Sequence, residues 1–222
     1  MSSGPSPAAT LRETVATAAR RLAESGVFVG TAGNISARSD DVVAITASGA
    51  QLRAITADQV TLVTLSGEVV DGPRPSSEID LHLGVYRRPE FAAMTSVVHT
   101  HSRFATALSV VRDHLPVIHY QQLSLGGALR VAPFATFGTP ELADAVHRAL
   151  SGRLAALMAN HGAVALGMGV DNAADNALLL EWLCEIYWHA SSLGTPRELT
   201  EQQQRAVVEH ALQIGYGTVR QA

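Results

Sequence analysis

The sequence predicts a single α/β domain in which a mixed β-sheet lies between layers of helices. Stretches with apolar residues at helical spacing alternate along the chain with short apolar runs, the pattern of helices packed on a sheet. Tight turns such as Ser66-Gly67 join some neighbouring strands as hairpins, so the sheet cannot be wholly parallel. No internal repeat, low-complexity block or linker divides the 222 residues, a length that suits one large domain.

Taken in order, Met1 to Pro7 and its neighbour Ala8 read as a disordered tail (1–8), although apolar positions from about Pro7 to Glu24 already keep helical spacing: Leu11, Val15, Ala18, Ala19 and Leu22. Gly26 stops that helix, and Val27-Phe28-Val29 leads into Gly30-Thr31-Ala32-Gly33-Asn34-Ile35-Ser36, expected as a tight turn whose backbone can approach a ligand. Asp41 to Thr46 reads as a strand, Ala47-Ser48-Gly49-Ala50 as a second small-residue turn, and Val60–Leu65 with Glu68–Val70 as a hairpin. A helix follows Ser76-Ser77-Glu78 and runs to about Arg88; Thr95 to His101 is a strand, and a helix covers about Arg103 to Val111. Short strands are expected at Leu115–Ile118 and Leu129–Ala132, flanking Gly126-Gly127. Thr139-Pro140-Glu141 opens a helix, with Thr as N-cap and Pro at the first position, that ends near Gly152. Leu154–Met158 and Ala163–Gly167 read as strands around Asn160-His161-Gly162, and helices span about Asn172–Leu193 and Glu201–Leu212.

Composition narrows the function. Hydrophobic residues make up 47% and charged residues 16%, which suits a substantial core and excludes a disordered chain. The balance of 16 Lys+Arg against 20 Asp+Glu leaves no basic surface for nucleic acid. The single cysteine, Cys184, rules out an intrachain disulfide and reads as an inert buried thiol on a helical stripe. The first residues lack the charged and apolar regions of a signal peptide, and the apolar run 177–190 is broken by Glu181 and Glu185 and is too short for a bilayer. A cytoplasmic protein without a membrane partner is expected.

The chemistry concentrates at Val97-Val98-His99-Thr100-His101. Side chains alternate along a strand, so His99 and His101 share a face, half of a tetrahedral metal site. Among nine histidines a strand histidine is more often packed or solvated than a ligand, and a third ligand is needed. His161, in a turn after an apolar strand, is the best candidate; the helix-internal His147, His189 and His210 are expected to face solvent. Three imidazoles would leave zinc an open position for water or substrate. Ser76 or Ser77 can cap the following helix with Glu78 favouring its positive end, but two hydroxyls at a helix N-terminus also suit an anion, with Glu78 as a base. His82, four residues on, is better explained by packing or a hydrogen bond than as a second ligand. The Gly33-Asn34 and Ser48-Gly49 turns can donate to phosphate oxygens, yet match neither a dinucleotide fingerprint nor a Walker loop. Ser48 lacks the context of a serine nucleophile.

Six motifs taken together resemble a known family: Gly30-Thr31-Ala32-Gly33-Asn34-Ile35-Ser36, Ile45-Thr46-Ala47-Ser48-Gly49, Pro75-Ser76-Ser77-Glu78, Val97-Val98-His99-Thr100-His101, Ala135-Thr136-Phe137-Gly138-Thr139 and Asn160-His161-Gly162. Their order and spacing are similar to those of class II aldolases, in the zinc-dependent L-fuculose-1-phosphate aldolase branch of the group that also holds L-ribulose-5-phosphate 4-epimerase. The resemblance runs from about Leu11 to about Tyr216. It implies a three-layer α/β/α subunit with a central mixed, largely antiparallel sheet, a four-fold symmetric homotetramer with active sites between neighbours, and a mobile C-terminal tail (213–222). By the same resemblance His99, His101 and His161 bind zinc or another divalent transition metal. Glu78 is a fourth ligand and then the acid/base. Asn34, Ser48, Gly49, Ser76 and Ser77 hold a substrate phosphate, and Thr31, Gly33 and Phe137 line the site. Tyr120 reaches into a neighbouring site and protonates the aldehyde-side oxygen, and Tyr216 matches a catalytic tyrosine on the mobile tail. The implied reaction is retro-aldol cleavage of a phosphorylated sugar, a ketose 1-phosphate, to dihydroxyacetone phosphate and an aldehyde. Glutamate at position 78 favours cleavage over the epimerase, which carries aspartate there, while His99-Thr100-His101-Ser102 also looks epimerase-like. A 4-epimerase, a sugar-acid phosphate decarboxylase, a methylthioribulose-phosphate dehydratase and a non-catalytic relative of the adducin kind are the alternatives.

Overall fold

The apolar runs pair into one nine-stranded sheet in the computed structural model, which describes residues 6–216. The strands are β1 (Asn34–Ser39), β2 (Val42–Thr46), β3 (Val60–Thr64), β4 (Val69–Asp71), β5 (Ser96–Thr100), β6 (His114–Leu115), β7 (Leu129–Ala132), β8 (Ala155–Met158) and β9 (Gly162–Gly167). Their order across the sheet is β4-β3-β2-β1-β5-β9-β8-β7-β6. Every neighbouring pair is antiparallel except β7 with β8. The sheet is therefore mixed and largely antiparallel, as expected.

The helices are α1 (Pro7–Glu24), α2 (Ile79–Arg87), α3 (Arg103–Val111), α4 (Pro140–Leu150), α5 (Val170–Leu193) and α6 (Glu201–Ile214). Strand alternation sorts the core into two clusters. Ile35, Val98, Leu157 and Ala165 pack with Val15 and Leu22 of α1, Leu108 of α3, and Leu180 and Cys184 of α5. Val97, Met158, Val164 and Leu166 face the other way, onto Leu81 and Val85 of α2 and Val146 and Leu150 of α4. Because both faces are covered, β5, β8 and β9 are buried throughout and read as continuous apolar runs. Each fully buried Val or Leu contributes about 1.5–3 kcal/mol. Helix α6 buries none of its side chains and rests against the 3₁₀ turn Tyr120–Leu125.

The structure corrects several local expectations. The turn expected at 30–36 gives way to strand β1 at Asn34, because Asn34, Ile35, Ser36 and Ala37 find partners on β5. Leu115–Ile118 is strand only at its start, and Tyr120–Leu125 is a 3₁₀ turn with no regular apolar period to announce it. Pro7 and Ala8 are helical, since Ser6 caps α1 by accepting from Ala9 N. Helix α6 likewise includes residues 213 and 214 of the expected C-terminal tail; residues 1–5 and 217–222 of the two expected tails lie outside the described residues. No helix among the described residues is long and apolar enough to cross a membrane.

His147 is also corrected: it is buried rather than solvent-facing, and its Nε2 donates to Leu81 O at 2.8 Å. Burial pushes this imidazole below its ordinary value, which favours its neutral form. The contact depends on Gly84, where a Cβ would lie 2.0 Å from the His147 ring. Gly84→Ala should gain about 1 kcal/mol in helix propensity but lose about 1–3 kcal/mol to overpacking and about 1 kcal/mol with the hydrogen bond. A net loss of about 1–3 kcal/mol in urea unfolding is the expected outcome; an unchanged midpoint would show that α2 and α4 yield freely here.

Candidate active site and metal centre

Four segments converge at one edge of the α2/α4 face. Strand β5 carries His99 directly opposite Asn34 of β1 on one side and Val164 of β9 on the other. His101 lies just past the strand end, yet its Nε2 stands 3.0 Å from that of His99. His161 comes from the β8–β9 turn, where Asn160 adopts φ 55°, a left-handed conformation that asparagine tolerates. Its successor Gly162 must be glycine, because a Cβ there would sit 2.1 Å from Thr100 O. Glu78 occupies the N-cap position of α2 that was expected for Ser76 or Ser77. Ser76 Oγ accepts from Glu78 N at 3.2 Å, while the Glu78 carboxylate makes no cap bond and turns to the histidines.

The three imidazole centroids are 4.8–5.0 Å apart with ring planes 66–86° from one another. Glu78 Oε2 lies 3.1 Å from His99 Nε2, and Glu78 Oε1 lies 3.4 Å from His161 Nε2. The ligand-type atoms of Glu78, His99, His101 and His161 are all within 4.8 Å of one another. His99 Nδ1 lies 3.0 Å from Ala163 O; a carbonyl can only accept, so Nδ1 carries a hydrogen and Nε2 is the atom turned to the cluster. Burial, and then the proximity of His99, pushes His101 down to about 4, and burial pushes His161 down as well. Burial would raise Glu78, but His99, Asn34 and His161 outweigh it and hold the carboxyl well below its usual range.

Imidazole nitrogens thus crowd a carboxylate, and Glu78 Oε1 is buried without a hydrogen-bond partner among the described residues. A cation answers both conditions. Tetrahedral zinc with ligand bonds of about 2.0–2.1 Å spaces its donors about 3.3 Å apart, close to the 3.0, 3.1 and 3.4 Å seen here. The donor set fits a divalent metal, with three imidazoles and a carboxylate able to hold it.

A cavity of about 510 Å³ opens beside this cluster. Thr31, Gly33, Asn34, Ser48, Gly49, Ser76, Ser77, Glu78, His101, His161 and Phe137 all line it, while His99 is fully buried behind. Ser48 N donates to Arg74 O and Ser76 N donates to Thr46 O, so the Ser48-Gly49 turn and the Ser76-Ser77 loop are tied side by side. Both sit by the positive end of α2. Asn34 lends Nδ2 to Glu78 Oε2 at 3.0 Å, a task beyond the phosphate contact expected of it.

Residues 13–188 match the family model described as Class II Aldolase and Adducin N-terminal domain. The chain belongs to the class II aldolase family. It is 37% identical over 195 residues to a 5-deoxy-D-ribulose 1-phosphate aldolase of Bacillus thuringiensis, covering 86% of this chain and 91% of that one. It is 35% identical to the L-fuculose phosphate aldolase of Escherichia coli K12, covering 82% and 85%. A solved L-fuculose 1-phosphate aldolase superposes with a TM-score of 0.85 at 32% identity, covering 95% of this chain and 97% of that one. The chain is a class II aldolase, a lyase, and not a non-catalytic relative.

In this aldolase chain, Tyr120 and Tyr216 do not line the metal cavity. They line a separate groove with α6, their hydroxyls 3.3 Å apart. Phe134 also lines the metal cavity and escaped the sequence reading; 68% exposed, it gives no periodic signal. His82, fully buried, is pushed down to about 3 by burial and by His99. Its depressed value means that the unfolded chain takes up its proton first. The stability it supports is present above about 6.5 and falls with pH by up to about 1.4 kcal/mol per unit. The metal-free protein should therefore lose stability between about pH 6.5 and pH 4, and a flat unfolding free energy over that range would contradict the neutral buried state.

Proposed function

We propose that this class II aldolase is a zinc enzyme that cleaves a 5-deoxypentulose 1-phosphate or an L-fuculose 1-phosphate-like ketose to dihydroxyacetone phosphate and an aldehyde. The observation that carries it is the junction of a buried Glu78 carboxylate with the imidazoles of His99, His101 and His161 beside a cavity that is also lined by two serine loops at a helix N-terminus. A zinc ion in that seat supplies a Lewis acid for the negative charge that develops on the ketose oxygens. Ser48, Gly49, Ser76 and Ser77 hold the phosphate, with help from the α2 dipole and one Asn34 hydrogen, so binding energy is gathered away from the reacting bond. Tyr120 of a neighbouring subunit relays the proton of the C4 hydroxyl to solvent, the C3–C4 bond breaks, C4 leaves as the aldehyde carbonyl, and the electron pair stays with the three-carbon fragment. Glu78, having taken a proton from solvent, then delivers that proton to C3.

The working unit is a homotetramer in which Tyr120 of a neighbouring subunit handles the proton on the aldehyde oxygen. Exposed apolar side chains around the Tyr120 groove, such as Leu212 (79%) and Ile214 (45%), support a covered surface there. Tyr216 lies beside Tyr120, which supports a shared task at the aldehyde end, with Thr31, Gly33 and Phe137 shaping the pocket wall.

The zinc-loaded protein should release dihydroxyacetone phosphate, seen by coupled reduction, from at least one of a panel of ketose 1-phosphates; silence across the panel would overturn the proposal. His161→Ala should lose bound zinc in elemental analysis. Glu78→Gln should slow solvent exchange of the C3 proton of dihydroxyacetone phosphate by about 10²–10⁴-fold, and exchange at the parent rate would remove Glu78 from that role.

A further inference from the structure

Behind the metal cluster a buried file of polar side chains runs from Glu78 into the domain between α2 and β1. Glu78, His82 and Tyr86 recur every four residues on one side of α2 and its cap, and Asn34 and Ser36 share one face of β1. Ser36 and His82 are fully buried, and Asn34, Glu78 and Tyr86 are no more than 7% exposed.

The chemistry of each group sets the direction of every hydrogen bond. The Glu78 carboxylate only accepts, so the Asn34 atom 3.0 Å from Oε2 is Nδ2. That turns Asn34 Oδ1 to His82 Nε2, which must donate. Neutral His82 then has a bare Nδ1, which accepts the Ser36 hydroxyl hydrogen at 2.7 Å. Ser36 Oγ, its hydrogen spent, accepts from Tyr86 at 2.6 Å, and the Val97 amide bonds to the Tyr86 oxygen. All donors point toward Glu78. If the Asn34 amide were reversed, two acceptors would face each other at Oε2, and His82 would have to exchange tautomers against Ser36.

We infer that His82 is a positioning residue: as the Nε2–H tautomer it locks the Asn34 amide with Nδ2 on Glu78 Oε2, leaving Oε1 as the oxygen that takes up and releases the proton. Burial, which keeps His82 uncharged, agrees with this. The file ends in donors already committed, so it gives the Glu78 proton no path into the interior. The inference rests on Glu78 acting as proposed above.

Histidine-labelled protein tests it by ¹⁵N NMR, with the His82 signal identified by its loss in His82→Gln. The expected tautomer has Nε2 protonated and Nδ1 bare; the reverse would overturn the inference without need of any folded variant. His82→Met keeps volume but no donor, and His82→Gln restores a side-chain N–H. The Met variant should bind zinc about 10–100-fold more weakly in competition with a chromophoric chelator. It should lose a similar factor in kcat while KM stays within about twofold, and the Gln variant should recover most of both. A folded Met variant that matches the parent, or a Gln variant no better than Met, would overturn it. A parent that binds no zinc would instead refute the metal reading, with the tautomer still deciding the role of His82.

Discussion

A carboxylate removed from water must be compensated on the spot, and the site of this aldolase is arranged around that demand at Glu78. Burial alone would neutralise the group. Its net shift runs the other way because His99, His161 and the Asn34 amide surround it. His101 and His161 are themselves driven toward the neutral form, so the cluster keeps a charged acceptor beside nitrogens that favour their lone pairs. Such an arrangement is poorly matched to itself and well matched to a divalent cation. The hydrogen bond from His99 Nδ1 to the backbone of β9 shows the same logic one step out, since it selects the tautomer able to ligate.

The two faces of the sheet divide the labour. The face under α1, α3 and α5 is apolar packing and supplies rigidity. The opposite face carries an apolar cluster too, but at β1 and β5 it gives way to Asn34, Ser36 and His99. Placing ligands on paired central strands, rather than on long loops, holds them with little conformational freedom. That holds for His99, whereas His101 lies just past β5, Glu78 at the α2 N-cap and His161 in the β8–β9 turn, where Gly162 lets the chain close against Thr100.

Much of this was legible from local pattern. The helical periods of α1, α4 and α5, the Thr139 cap, the hairpin at Ser66-Gly67 and the shared direction of His99 and His101 all follow from spacing over a few residues. The strand at Asn34 was hidden, because its small and polar residues look like a turn until β5 pairs with them. His147 was misread as solvent-facing because helical position does not reveal that a neighbouring helix has a glycine opening for its ring. The 3₁₀ turn at Tyr120 has too short a repeat to leave a pattern.

The sequence by itself determined the donor chemistry: which residues can ligate, which turns can approach an anion, and which helices and strands present them. Local propensity and alternation act over a few residues and are written in order along the chain. Tertiary structure alone decided that Glu78 would leave its capping task for the histidines, that Asn34 would be held by His82, and that Tyr120 would stand apart from the cavity of the same chain. Those outcomes depend on which strands pair and on which side chains lose water together, and neither quantity is defined until the chain has folded.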